Sequence, residues 1–410
     1  MHRFIKFLTT ALLIIVFVDP FGDSLLMNSF SLFFNGDISI YDSKLKLLII
    51  SIFCLIIIFS FNNFRINKIL HLPIIFIITI YLYGMIWGIW NNNYIDSLNE
   101  ISSIFPIFLI FILPQYNNFI TIEFINKTLF YFLIIIFIKF LMYQIIFYLF
   151  TSTLAWKVLM KQSPLLLFPF VYYIQNWFKR SSIKNTMPVV LIMFLLIIAQ
   201  ARTLIICAFF LYIITLFLTK NNIFQKFNHS LLMIVIIIFS FTIYLYSQNV
   251  IFIDSFEYLV SGDYASESVE FRKYQFNEII NRLTSNPILG KGFGYYNPNY
   301  STYSENTKPY LLEIDLLNFL SKIGIPMFLI YILSYFLFYF YITKVKNINE
   351  KLYFKLYFWA LISLLIYSLG QTAHSSYTYW LSFSLVFSSL ITSLKIQKDN
   401  NETNIEVFIK

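Results

Sequence analysis

Long apolar runs separated by short polar connections dominate the chain. Runs near bilayer length fall at about 5–19, 45–61, 72–90, 101–114, 128–150, 164–178, 187–200, 203–218, 231–246, 316–342, 356–370 and 378–394. Several are shorter than the ~20 residues a straight span wants, so they borrow flanking polar residues or cross a thinned bilayer. With the N-terminus inside and the connections placed alternately in and out, seventeen of the twenty-nine Lys and Arg residues fall inside, in short loops and tails. Eleven fall outside, five of them in the long 247–315 segment, where the positive-inside rule loses its force. The pattern therefore predicts an all-α polytopic membrane protein of about 12 transmembrane helices with both termini cytoplasmic. Its expected parts are a membrane bundle of about nine spans over 1–246, a large outer loop over 247–315 containing an amphipathic helix, further spans over 316–394, and a cytoplasmic tail over 395–410.

Composition excludes a soluble fold. Hydrophobic residues make up 59% of the chain, charged residues only 12%, and the mean hydropathy is +0.73. Globular proteins carry about 25% charged residues, so half of the usual solvated surface is missing. Lipid can accept the 49 Phe and 30 Tyr; a soluble surface could not. The net charge of +9 is read as topology, not as a sign of a nucleic-acid partner. Cys54 and Cys207 both sit in apolar runs, as packing residues do. Met1–Val18 resembles a signal peptide, but Asp19-Pro20-Phe21-Gly22-Asp23 follows without a small-x-small cleavage site, so an uncleaved first span is expected. Gly84 and Gly88 form a GxxxG that marks close helix packing. The Asn-rich stretch at 400–404 reads as a frayed tail.

The 247–315 segment stands apart. It holds fourteen of the forty-nine charged residues, and three of the ten glycines fall in Gly290-Lys291-Gly292-Phe293-Gly294. Transporters usually keep loops short because their substrates bind at the midplane; a long, charged, aromatic-rich loop suggests a site at the outer face. Phe271, Phe276, Ile279 and Ile280 follow helical spacing, which places Arg272 and Arg282 on one amphipathic helix ending at Asn286-Pro287. The closely spaced glycines can turn successive N–H groups toward one point, and Lys291 adds a charge there, which suits phosphate. The simpler alternative is a tight turn that returns the chain to the membrane.

Other residues carry candidate chemistry. Arg202 interrupts the apolar stretch from Met187 to Leu218, thirty-two residues that would make a helix of about 48 Å. Two short helices meeting near the outer face are expected instead. An arginine there costs a few kcal/mol unless paired or solvated, and can hold a pyrophosphate through two N–H bonds or snorkel to the headgroups. Lys139 stands mid-run and needs a carboxylate partner or a wet cavity, as an ion pair or a substrate contact. Glu313 and Asp315 lie at the entrance to the tenth span, as general bases or as solvated helix caps. His374, the one histidine placed outside, either faces the same cavity or is polar surface. There is no metal constellation, no GxSxG and no Walker loop.

Two regions together resemble the O-antigen polymerase and O-antigen ligase superfamily. One is the span-terminal arginine in Gln200-Ala201-Arg202-Thr203. The other is Arg272 followed by Asn286-Pro287-Ile288-Leu289-Gly290-Lys291-Gly292-Phe293-Gly294 and an entrance helix leading to Gly324. The resemblance implies a multi-pass protein of the bacterial inner membrane, a periplasmic 247–315 loop, and action on undecaprenyl-pyrophosphate-linked glycans without cofactor or metal. It also implies a membrane chain-length regulator as a further partner. The pyrophosphate-holding role of the family's arginines carries over to Arg202 and Arg272, with Arg282, Lys291, Gly290, Gly292 and Gly294 as neighbouring candidates. Ligases carry a His-Asn pair about eleven residues before the glycine that matches Gly324. Here Glu313-Ile314 stands there. That departure favours a polymerase of O-antigen or capsule repeat units, a metal-independent glycosyltransferase. The alternatives are a ligase and a lipid-linked oligosaccharide flippase or other transporter. Glu313, Asp315 or His374 would then take the acceptor proton.

Overall fold

The computed structural model describes residues 2–18, 71–115, 121–151, 163–180, 182–198, 202–219, 263–295, 314–369 and 377–409, with scattered positions between 51 and 58. The regular structure among them is entirely helical: α1 (His2–Val18), α2 (Leu72–Asn91), α3 (Tyr94–Ile101), α4 (Leu109–Ile112), α5 (Ile122–Thr151), α6 (Leu167–Lys179), α7 (Ile183–Ile198), α8 (Arg202–Leu218), α9 (Asp263–Ser285), α10 (Asp315–Thr343), α11 (Ile348–Tyr367) and α12 (Tyr377–Ile409). Five segments are long and apolar enough to cross a membrane: Leu72–Asn91, Tyr94–Gln115, Ile122–Ile146, Asp315–Thr343 and Thr378–Gln397. Phe4–Ile15, Ile183–Ile197 and Thr203–Leu218 are shorter apolar helices. The chain is a polytopic all-α membrane protein. The run expected at 231–246 lies outside the described residues, as does most of 45–61.

The chain divides into two compact units. One comprises residues 1–64 and 118–255, the other 65–117 and 256–410. In the first, α5 packs on α1 and α6, and α6 packs on α7 and α8. The apolar stretch from Met187 to Leu218 is two helices, and the second begins at Arg202. Lys139 is buried on α5 at 7% exposure. Gln175, on α6, accepts a hydrogen bond from Thr219 Oγ1 at 3.0 Å beside the end of α8.

The second unit assembles α2 against α10, α12 against the broken span 94–115, and α9 against the start of α10. Its span 94–115 is not one regular helix. α3 gives way to a 3-10 stretch, Ser102–Phe108, that contains Pro106, because proline has no N–H to continue the ladder. Ser384 Oγ on α12 donates to the Pro106 carbonyl at 2.8 Å.

One expectation is corrected here. The described residues 395–409 do not fray at the Asn-rich stretch. α12 continues to Ile409, and no Gly or Pro after Gly370 gives the helix a place to stop. The amphipathic helix α9 forms as expected, with Phe276 and Ile280 45% and 39% exposed. It buries Gln275, Ile279 and Arg282, because Ile279 and Leu283 pack on Ile314 and Leu317 at the entrance to α10.

Candidate functional site

The glycine run is wedged into the second unit between two helices that the sequence has hollowed for it. On α2, Gly84 and Gly88 lie one turn apart and leave bare backbone. On α10, Gly324 takes φ +79°, outside the helical region, so the helix breaks there. The break leaves two carbonyls without helical partners. Lys322 O would need the N–H of residue 326, which is a proline. Ser321 O would need that of Ile325, which donates to Pro287 O at 2.9 Å instead. The run fills both vacancies: Lys291 N donates to Ser321 O at 3.1 Å and Gly292 N to Lys322 O at 2.9 Å.

The rest of the loop is satisfied in the same way. Gly290 N donates to Asn286 O, Phe293 N to Gly84 O at 3.0 Å, and Gly294 N to Glu100 Oε2 at 2.8 Å. Its carbonyls accept from Tyr83 Oη, Trp87 Nε1, Asn92 Nδ2 and Ser97 Oγ. Irregular backbone between membrane helices is tolerated only when protein supplies its hydrogen bonds, and here protein supplies them. Gly292 has φ +79°, and a Cβ there would stand 2.6 Å from Gly88 N, so only glycine fits. Phe293 is buried against Tyr81 and Phe319, with ring centroids 5.4 and 6.1 Å away.

This geometry changes the anion-nest expectation. All five N–H groups from Gly290 to Gly294 already donate to protein oxygens, so in this arrangement the backbone has no N–H left for phosphate. The turn that returns the chain into the bundle is what the glycines make. The GxxxG of α2 accordingly seats a loop.

Charge collects around the loop. α10 presents Asp315, Asn318 and Lys322 at i, i+3 and i+7, on one face, and all three are buried. Lys322 Nζ lies 2.6 Å from Glu100 Oε1, with side-chain exposures of 0% and 9%. Asp315 is within electrostatic reach of Lys322 and of Tyr81. The N-cap of α10 is Ile314, without a side-chain cap bond, so Asp315 is a buried first-turn residue and not a solvated cap. Arg282 Nε pairs with Glu278 Oε1 at 2.9 Å and Nη1 donates to Asn318 Oδ1 at 3.1 Å. Its guanidinium carbon sits 4.7 Å from the centre of the Tyr295 ring, and Lys291 Nζ sits 5.8 Å from the same centre. Arg282 is only 2% exposed, and its Nη2 is the guanidinium nitrogen without a hydrogen-bond partner.

The other expected residues are placed less fully. Arg272 lies on α9, and helical register sets position 272 on the face that carries 275, 279 and 282. Arg202 is the first residue of α8 in the other unit. The side chains of both lie outside the described residues, as do Glu313 and His374 entirely. Among the described residues no three His, Cys, Asp or Glu side chains gather as a metal site. Sequence reasoning missed Glu100. The signal was present: Lys322 lies inside an apolar run, where a cation needs a carboxylate, and Glu100 opens another such run.

Residues 187–332 match the family model described as O-antigen ligase. This match supports the resemblance to the O-antigen polymerase and ligase superfamily. No curated protein and no solved structure matches it significantly. The matched segment runs from α7 into α10, so it takes in Arg202, Arg272, the glycine run and Gly324. Members of this family are glycosyltransferase-like enzymes of O-antigen-related polysaccharide synthesis. In this chain the glycine run is a buried scaffold with charged side chains gathered around it.

Proposed function

We propose that the protein is a polymerase of undecaprenyl-pyrophosphate-linked oligosaccharide repeat units, of O-antigen or capsule, acting at the periplasmic face of the inner membrane. The observation that carries the choice over a ligase is the pair Glu313-Ile314. The family match supports the superfamily without separating the two activities; the resemblance implies a ligase His-Asn pair at this position, where Glu313-Ile314 stands. Ile314 is 7% exposed and packs with Ile279, Leu283 and Leu317, so the second residue of the pair serves α9–α10 packing and offers no polar group.

The chemistry follows from charge. A hydroxyl of the incoming repeat unit attacks the anomeric carbon of the growing chain, and the lipid pyrophosphate leaves. Preorganised cations stabilise the leaving charge. Arg272 and Arg202 take that role by resemblance, and Lys291 stands at the edge of the loop. Arg282 is largely committed to Glu278, Asn318 and Tyr295, which makes it a brace for the site with one nitrogen to offer. Glu313, or else Asp315 or His374, accepts the hydroxyl proton.

Deletion of the gene tests the reading. A polymerase predicts cells that display single repeat units on lipid A core. Loss of all surface glycan with accumulation of undecaprenyl-linked polymer would replace it with the ligase. Unpolymerised repeat units trapped on the cytoplasmic face would replace it with a flippase.

A further inference from the structure

We propose that Glu100 is a positioning residue for the pyrophosphate site, acting through the N–H of Gly294 that it accepts and not through the charge it shares with Lys322. The proposal rests on the polymerase reading for its activity readout alone. Of the five N–H groups in the glycine run, four donate to backbone carbonyls and only Gly294 donates to a side chain. Backbone acceptors are fixed by helices; the Glu100 carboxylate is the one replaceable support. Its two oxygens divide the work, Oε1 facing Lys322 at 2.6 Å and Oε2 facing Gly294 at 2.8 Å. Lys322 thereby neutralises Glu100 and orients it as an acceptor in a nearly dry site. Tyr295 follows Gly294 directly, and its ring is the surface on which Arg282 and Lys291 both rest, at 4.7 and 5.8 Å. Releasing Gly294 therefore displaces the support of two cations at once.

Two double variants separate the two roles of Glu100. Glu100→Gln with Lys322→Met keeps an acceptor for Gly294 and removes both charges. Glu100→Lys with Lys322→Glu keeps an ion pair and removes the acceptor. The full chain in lipid nanodiscs is followed by hydrogen exchange of the peptide covering 286–295. Polymer synthesis is measured with undecaprenyl-pyrophosphate-linked repeat units extracted from a deletion strain. The charge swap should accumulate normally in the membrane, yet exchange the loop roughly tenfold faster and make roughly tenfold less polymer, with a raised half-saturating donor concentration. The Gln/Met variant should stay within about threefold of wild type in both readouts, because a neutral amide still accepts the bond.

The reverse pattern, with the swap active and the Gln/Met variant impaired, would assign the role to the ion pair and overturn the proposal. A loosened loop with unchanged polymer synthesis and donor dependence would overturn it too. If the swap fails to insert, the Gln/Met variant decides alone: retained protection and polymer support the proposal, and loss of either rejects it. Wild-type protein that makes no polymer would remove the polymerase reading, and the exchange comparison would then accept or reject the hold of Glu100 on the loop.

Discussion

Replacing Gly88 by alanine tests whether the GxxxG of α2 seats the glycine loop. The added Cβ would stand 2.7 Å from Phe293 N and 2.9 Å from Ser97 Oγ, where ordinary contact is 3.4–4 Å. The nearest neighbours are the backbone O and N of Phe293 in the tight turn and the Ser97 hydroxyl on α3, so the loop must withdraw by roughly an ångström. That movement lengthens the bonds from Phe293 N to Gly84 O, now 3.0 Å, and from Ser97 and Asn92 to Phe293 O, now 2.9 and 3.0 Å, beyond hydrogen-bonding range. Three lost bonds at about 1 kcal/mol each, added to about 1–3 kcal/mol of overpacking, give roughly 5 kcal/mol against the docked loop. Gly84→Ala should be milder, about 1–2 kcal/mol, because its Cβ meets only the Phe293 ring, 2.9–3.1 Å away, and a ring can tilt. Adding Phe293→Leu should rescue Gly84→Ala and not Gly88→Ala. The assay pairs thermal unfolding of the detergent-solubilised protein with polymer length on a gel, normalised to membrane-inserted protein. A simple helix–helix GxxxG would make the two alanine variants alike. Gly88→Ala with wild-type stability and polymer, or Gly84→Ala the more damaging of the two, would refute the reasoning.

The remaining predictions concern charge, packing and topology. Arg202→Lys and Arg272→Ala should each lower polymer yield about a hundredfold at unchanged protein level, since each removes a charge-assisted contact to the pyrophosphate worth about 3 kcal/mol; full-length polymer from both would sink the pyrophosphate roles. Glu313→Gln should lower turnover while donor binding persists, whereas a capping role would show as lost protein. Ile314→Asn should destabilise the α9–α10 contact by about 2–4 kcal/mol, read as a fall in melting temperature, because it sets an amide among Ile279, Leu283 and Leu317. Reporter fusions after Tyr300 and after Asn347 should report opposite compartments, and the same compartment for both would reject the topology.

Several features were legible in the sequence because a bilayer is an unforgiving solvent. Apolar runs of near-spanning length had to be helices, since no other open segment satisfies its backbone in lipid. The break near Arg202 could be read from length alone: thirty-two apolar residues overshoot one span, and α7 and α8 divide there. The resemblance to the superfamily was legible from the arginines and the glycine run, and the family match covers those positions.

Tertiary structure alone decided what the glycines do and which charges matter. A GxGxG can present its N–H groups to an anion or to protein carbonyls with the same local backbone. The choice depended on two carbonyls left open 30 residues later in the chain, at Ser321 and Lys322. Helical periodicity placed Arg272 and Arg282 on one amphipathic helix, but which of its faces is buried was decided by the partner at Ile314 and Asn318, which selected Ile279 and Arg282. The pairing of Glu100 with Lys322 joins residues 222 apart in sequence. Local pattern carries the demand that a buried charge be paired; only the packing of α3, the loop and α10 names the partner.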